Sequence, residues 1–262
     1  MAQYQENVTV TGIEQFSSDH WRLTLAAPRI ATAARPGQFV MVRPGAGRDP
    51  LLGRPFSLHR TAADGTIQIY FKVVGRGTEL IAGVRPGSHL AVFGPLGRGF
   101  RLKEQAGAIL VGGGLGIAPL LFLAEQIRRE KAAYPADILL LGARRHDELA
   151  PLLGDFAACG LQLHTATDEG FLGHHGLITD LLGELQIPGG SVVYTCGPEP
   201  MMAAVAAFCR RSGLSCQASV ESVMACGMGA CLGCSRLNHQ GEYTHVCLNG
   251  PVYDAEELIW KI

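Results

Sequence analysis

The spacing of four cysteines near the C-terminus constrains this chain more than anything else in it. Cys226, Cys231, Cys234 and Cys247 stand with gaps of four, two and twelve residues. The order C-x4-C-x2-C…C holds a 2Fe–2S cluster through four thiolates. Three ligands within nine residues force the backbone to wrap tightly. Gly227, Gly229 and Gly233 can take positive φ without a Cβ clash. They also leave amides free to point at the sulfurs, which stabilises a cluster that gains negative charge on reduction. Zinc accepts the same four ligands, usually from paired C-x2-C hairpins. Only one such pair exists here, and the four-residue gap and the glycines favour iron–sulfur.

The whole chain sets the outer bounds. Its 262 residues allow one or two domains, and a net charge of −1 suggests neither a nucleic-acid nor an anionic-membrane partner. The polar start, Met1-Ala-Gln-Tyr-Gln-Glu-Asn7, shows no basic n-region and no apolar h-region, so no secretory signal is visible. Eight cysteines without a signal point to reduced thiols, metal or redox use, and a cytoplasmic location. Cys159, Cys196, Cys209 and Cys216 lie outside the motif and read as small buried apolar residues, with Cys196 a candidate for more. Residues 106–124 carry no charge and imitate a membrane span. Gly112, Gly113, Gly114 and Gly116 interrupt them and Pro119 follows, so a buried strand, a glycine turn and an amphipathic helix fit better.

The first hundred residues read as strands. Residues 7–14, 21–26, 38–43, 56–59, 67–74 and 88–93 are short and strand-like, and Pro and Gly punctuate them. Close spacing with turn signals predicts an antiparallel barrel or sandwich. Only residues 77–82 suggest a helix. Two spots look chemical. In Arg54-Pro55-Phe56-Ser57, an Arg fixed ahead of a rigid proline can give a phosphate a bidentate contact, and the Ser can hydrogen-bond a heterocycle edge. In Gly75-Arg-Gly77-Thr78, amides at a positive helix end suit a pyrophosphate. Each also reads as an ordinary turn.

Further on, the apolar run 108–111 leads into Gly112-Gly113-Gly114-Leu-Gly116, and then Ile117, Leu120, Leu121, Ala124 and Ile127 recur at helical spacing. Strand, glycine turn and helix form the setting in which a dinucleotide pyrophosphate meets a helix N-terminus. The motif is imperfect, because Pro119 stands where a small residue is expected. Pro is tolerated in a first helical turn. Residues 137–141, 161–167 and 192–195 read as further strands, the last followed by Cys196-Gly197-Pro198 and a helix over 199–211. Alternating strands and helices predict a parallel sheet covered on both faces, with ligands beyond its carboxyl edge. Arg144 and Arg145 can hold a 2′-phosphate, whereas Asp147 and Glu148 beside them repel it. NAD rather than NADP is the expectation.

These motifs, in this order, resemble the ferredoxin–NADP reductase superfamily. Arg-Pro-Phe-Ser, then Tyr70-Phe71-Lys72, then Gly77-Thr78 match its flavin barrel, while Gly-Gly-Gly-x-Gly and Cys-Gly-Pro match its nicotinamide domain. The resemblance implies FAD contacts from Arg54, Pro55, Phe56, Ser57, Tyr70, Phe71, Lys72, Gly77 and Thr78. It implies nicotinamide dinucleotide contacts from Gly112, Gly113, Gly114, Gly116, Cys196, Gly197 and Pro198. Ser57 approaches the reactive edge of the flavin, and Cys196 positions the nicotinamide; these two are the catalytic candidates.

The full pattern is similar to one family in particular, the electron-transfer subunit of type-B dihydroorotate dehydrogenase. The similarity rests on Glu221-Ser-Val-Met-Ala-Cys226 through Cys234, on His245-Val-Cys247-x-x-Gly250-Pro-Val-Tyr253, and on Thr167-Asp-Glu-Gly170 leading to Gly173-His-His-Gly176. Phe56 departs from it, at a spot often aliphatic. The resemblance implies three parts: a flavin-binding antiparallel β-barrel over 1–103, a parallel α/β nicotinamide-dinucleotide domain over 104–217, and a small 2Fe–2S segment over 218–262. It also implies a partner, an FMN-containing catalytic subunit that oxidises dihydroorotate in pyrimidine synthesis, as a heterotetramer of two of each chain. Electrons pass from its FMN to the 2Fe–2S cluster, to FAD, to NAD+. Related subunits serve hydrogenases, sulfide-linked reductases and transhydrogenase-type complexes, so the superfamily motifs alone leave the partner open.

Overall fold

The computed structural model describes residues 2–45, 47, 49–103, 106–130 and 137–260. Strands β1 (Tyr4–Gln15), β2 (His20–Ala26), β3 (Phe39–Arg43), β4 (Arg54–Ser57), β5 (Arg60–Thr61), β6 (Thr66–Lys72) and β7 (His89–Leu96) form one sheet in the order β4-β3-β7-β1-β2-β6-β5. Every pairing in it is antiparallel. Alternation drives this: Val8 and Val10, Leu23 and Leu25, Val40 and Val42, Ile67 and Ile69, and Leu90 and Val92 all point into one core. The sheet curls until edge strand β4 lies against β6, giving the expected barrel.

Two helices punctuate this barrel where the sequence suggested one. Helix α1 (Pro28–Ala33) escapes notice because six residues are too few to show a period, although Pro28 at its first turn is a legitimate start signal. Helix α2 (Arg76–Ala82) is the one expected. Strand β4 also begins two residues earlier than read, so that Arg54 and Ser57 are its ends.

The second sheet follows from buried, continuous apolar runs. Strand β8 (Ala108–Gly113) leads through a 3₁₀ turn at Gly114–Ile117 into α3 (Ala118–Glu130). Then come β9 (Ile138–Ala143), α4 (His146–Leu149), α5 (Leu153–Ala157), β10 (Gln162–Thr167), β11 (His174–His175), α6 (Ile178–Glu184), β12 (Val192–Cys196), α7 (Glu199–Ser212) and β13 (Ser215–Ser219). The charge-free stretch is thus β8, a glycine turn and α3, and no described helix is long and apolar enough to cross a membrane.

The chain then makes β14 (Ser235–Leu237), β15 (Tyr243–His245), α8 (Val246–Asn249) and β16 (Val252–Asp254). Strand β16 returns to pair antiparallel with β13, so the sheet order is β11-β10-β9-β8-β12-β13-β16. All its other pairings are parallel. Growth runs outward from β8 to β11, then reverses to β12. The crevice beyond the ends of β8 and β12 is the point where such sheets take ligands.

The two sheets meet through shared packing and charge. Tyr70 of β6 belongs to the core of the parallel sheet, and Phe122 of α3 to that of the barrel. Arg22 and Arg60 reach Asp155 at 2.6 and 3.3 Å, and Arg60 also reaches Glu125 at 2.6 Å. Both arginines are largely covered, which exempts these pairs from most of the screening that weakens surface ion pairs.

Candidate functional site

Three neighbouring sites emerge, the first a cavity of about 310 Å³ between barrel and sheet. Arg54, Pro55, Phe56 and Ser57 from β4 line it, with Tyr70, Phe71 and Lys72 from β6 and Thr78 from α2. Gly77 lies behind this wall. A Cβ on it would stand 2.5 Å from Nε of Arg54, so only glycine lets the guanidinium lie over the start of α2. The Thr78 hydroxyl donates to the Gly75 carbonyl at 2.7 Å and accepts from the Val74 amide at 2.9 Å, which braces that helix end. A fixed guanidinium and a helix N-terminus thus share one corner, an arrangement suited to phosphate. The apolar faces of Phe56, Phe71 and Tyr70 suit a flat aromatic ring.

The second site follows the crevice. Gly113, Gly114, Pro198, Arg144, Glu148 and Asp168 line a cavity of about 530 Å³, entered from the barrel side by His20 and Lys72. A smaller adjoining cavity takes in Gly113, Gly116, Gly197 and Pro198. The two glycine turns interlock. A Cβ on Gly116 would fall 2.3 Å from the carbonyl carbon and oxygen of Cys196, so no larger residue fits there. Gly112 has a different place, buried beneath Leu120 and Ile117. Cys196 ends β12 and lines the first cavity together with Ser57. Burial raises its thiol pKa, outweighing a hydrogen bond with Ser219, so it stays a neutral thiol and not a nucleophile. Arg145 turns to its neighbour Asp147, with Nε 2.8 Å from Oδ1, whereas Arg144 shares the cavity with the carboxylates of Glu148 and Asp168.

The third site is the cysteine segment. Cys234 and Cys247 are buried, Cys226 is half-buried and Cys231 is exposed. The Sγ atoms of Cys234 and Cys247 are 3.3 Å apart. Two thiolates on one tetrahedral metal stand roughly 3.7 Å apart, so little movement is needed. Cys226 receives the amide N–H groups of Met228 at 3.4 Å and Cys231 at 3.5 Å, and Cys247 receives that of Gly229 at 3.1 Å. Partial burial opposes ionisation of Cys226, but the Met228, Cys231 and Ala230 amides prevail and bring its pKa down to about 7. Burial and the neighbouring Cys234 thiol push Cys247 up to about 12. Among the described residues no three His, Cys, Asp or Glu side chains close on a single point; the thiols stand as two pairs, Cys234 with Cys247 and Cys226 with Cys231. Soft donors, aimed amides and this pairing fit a two-iron group.

The backbone uses only part of the glycines' freedom. Gly227 and Gly229 take φ of 71° and 80°, but Gly233 does not take positive φ; Leu232, at 58°, does so instead. The left-handed turn falls one residue earlier than the glycine pattern suggested, at a non-glycine residue where such strain is tolerated only in a constrained site.

Sequence reasoning missed one connection. Ser219, Val220, Glu221, Ser222 and Met224 line the first cavity, and Glu221 also lines the small cavity beside Cys196. The segment that becomes the cysteine loop is therefore a wall of the first two sites. Its only sequence signal was proximity to Cys226. Glu221 is exposed toward these spaces, and desolvation raises its pKa. A larger groove of about 750 Å³, between α7, β13 and the tail at Trp260, lies apart from all three sites.

An antiparallel barrel with a phosphate corner, a parallel sheet with interlocked glycine turns and a thiol segment joined to both define a reductase with an iron–sulfur extension. Residues 221–259 match the model of the iron–sulfur cluster binding domain of dihydroorotate dehydrogenase B. The chain is 34% identical to the dihydroorotate dehydrogenase B (NAD(+)) electron transfer subunit of Desulforamulus reducens, over 96% of this chain and 97% of the relative. It is 37% identical to that of Bacillus caldolyticus, over 97% and 98%. Among solved structures, a NADH-dependent reduced ferredoxin–NADP oxidoreductase superposes with a TM-score of 0.86 at 26% identity, covering 97% of this chain and 90% of that one. A Neisseria gonorrhoeae ferredoxin NADP+ reductase, with FAD and NADP bound, shares the fold at a TM-score of 0.66 and 18% identity, covering 80% and 92%. The chain belongs to the family of dihydroorotate dehydrogenase B electron transfer subunits.

Proposed function

We propose that this chain is the electron-transfer half of a two-component dihydroorotate dehydrogenase, linking an FMN-containing catalytic subunit to NAD+ in pyrimidine biosynthesis. The observation that carries this is the shared wall. The segment from Ser219 to Met224 bounds the first cavity and leads directly to Cys226, while Cys196 and Leu115 bound the same cavity from the dinucleotide side. Three redox sites in contact have the layout of a conduit. Hydride moves electrons in pairs and iron–sulfur accepts them singly, and FAD, when bound, converts between the two.

The residues divide the work. Arg54, Gly77 and Thr78 hold the flavin phosphates, Pro55, Phe56, Tyr70, Phe71 and Lys72 frame the ring, and Ser57 meets its reactive edge. Gly113, Gly114 and Gly116 seat the dinucleotide pyrophosphate, with Gly112 packed beneath the turn, and Cys196, Gly197 and Pro198 place the nicotinamide. Cys226, Cys231, Cys234 and Cys247 hold the 2Fe–2S cluster, with the exposed Cys231 on the side that meets the partner. The pairing of Arg145 with Asp147, and the carboxylates of Glu148 and Asp168 in the cavity, favour NAD. A division at 103/104 and 217/218, a cytoplasmic location and a heterotetramer of two of each chain complete the reading.

The test is a visible spectrum of anaerobically purified protein before and after NADH, with iron and zinc assayed on the same sample. Flavin bands with a broad iron–sulfur shoulder, bleached by NADH, are expected. A colourless, zinc-loaded protein overturns the proposal. Copurification with an FMN protein that oxidises dihydroorotate is expected, and a hydrogenase or transhydrogenase partner would redirect it.

A further inference from the structure

One buried histidine has a bond that simple packing does not require. His59 follows β4, is wholly buried, and lies two residues past Ser57, which lines the first cavity. Its Nδ1 is 2.7 Å from the carbonyl oxygen of Ala118, the first residue of α3. A carbonyl only accepts, so Nδ1 carries the proton. Nε2 is then a bare lone pair, buried with no partner among the described residues. An unpartnered ring nitrogen is a cost that Leu or Phe at this position would avoid. What histidine supplies in return is the Nδ1–H bond to another part of the fold. The ring also lies against Tyr70, with centroids 5.6 Å apart, and the Tyr70 hydroxyl donates to the Glu148 carbonyl at 3.3 Å. Two barrel side chains therefore grip main-chain carbonyls of the parallel-sheet unit.

The place gripped matters. Ala118 and Leu115 form part of the first cavity, and Gly113 and Gly114 of the same turn form part of the second. The His59–Ala118 bond thus sets how far the wall holding Ser57 stands from the turn holding the dinucleotide. Hydride transfer needs reacting atoms about 3–3.5 Å apart, and a misplacement near 1 Å costs on the order of 100-fold. We propose that His59 is a positioning residue for hydride transfer, locking the flavin wall to the glycine turn through the Ala118 carbonyl. This rests on the reading that flavin and NAD(H) occupy the two cavities.

The experiment uses the full chain loaded with FAD. NADH-driven flavin reduction is followed by rapid mixing in wild type, His59→Phe and His59→Asn, with backbone amide exchange measured across α3. Asn places an N–H close to the position of Nδ1, whereas Phe keeps the ring and removes the donor. His59→Phe is expected to lower the limiting rate about 10- to 100-fold with FAD content retained and the NADH KM within about threefold. Amides in the first turns of α3 exchange faster in His59→Phe. His59→Asn restores both the rate, to within about fivefold, and the protection. If His59→Phe does not fold, His59→Gln takes its place, because its amide reaches past the Nδ1 position; its limiting rate falls below that of His59→Asn. A wild-type rate in His59→Phe, or in His59→Gln where it takes its place, or an equal loss in His59→Asn, overturns the proposal. A wild-type flavin that NADH does not reduce overturns the functional reading beneath it instead.

Discussion

The two sheets and the cysteine segment are stabilised by different means. Strands β8 and β9 are buried at every residue, and most barrel strands mix buried with half-exposed residues. Between Glu221 and Gly250 the buried residues are Gly227, Cys234, Val246, Cys247 and Gly250. Two of the three that are not glycine are thiols. Val223, Met228, Leu232, Tyr243 and Leu248 are exposed instead. The sheets gain their stability from apolar burial, at about 25 cal/mol per Å². The segment has less apolar burial, and on the proposed reading a cluster held by its thiolates would add to its stability, as in small metal-bound domains. On that reading, order in one region comes from solvent exclusion, and in the other from thiolate ligation.

The contrast breaks most visibly at the thiols. Cys234→Ser or Cys247→Ser should strip the iron and abolish electron delivery to or from the partner subunit, to background. The same variants should keep the FAD and still oxidise NADH with an artificial acceptor at near wild-type rate. Limited proteolysis should cut the variant between residues 221 and 250 while the rest of the chain survives. Loss of FAD or of the artificial-acceptor rate together with the iron would mean that the two regions stand or fall as one.

A smaller effect tests the sheets themselves. At Gly116 a methyl group meets Cys196 and Gly197 backbone at 2.3 Å, and backbone cannot yield as a flexible side chain does. Gly116→Ala must part the two glycine turns, and NADH-driven flavin reduction should fall by roughly 100-fold. Iron content should be unchanged, since the cysteines are untouched. Retained activity would mean that the interlocked turns are not the dinucleotide site.

How much of this was legible in the sequence follows the same division. Cysteine spacing, glycine turns and strand alternation are local signals, and they pointed to the cofactors, the parallel sheet and the barrel. What escaped was long-range. Helix α1 is too short to show a period, and strand β16 takes its place through pairing with β13. The left-handed residue at Leu232 is set by the loop's closure and not by composition. Glu221 and Met224 joined the first cavity only because β13 delivers them there. Nothing near His59 in the chain announces Ala118, which lies 59 residues away.

The smallest effect probes how dry the junction between the sheets is. Burial holds the His59 pKa down to about 4, from 6.5, overcoming its bond to the Ala118 carbonyl. The charges facing it divide: Arg22 and Arg60 push the same way and Asp155 opposes them. Well above pH 6.5 the ring is neutral in both folded and unfolded chains, and this group adds no pH dependence. As pH drops below 6.5 the unfolded chain binds a proton that the folded one refuses until near pH 4. Stability therefore falls with pH across that window. Between pH 6.5 and 5.5 the loss is about 1 kcal/mol, or roughly 2–4 °C in Tm for a chain of this size. His59→Asn has no titrating ring, so its Tm should change less over that unit of pH by that amount. Equal shifts in wild type and variant would place water beside His59, and the junction would then resemble the exposed cysteine segment more than a core.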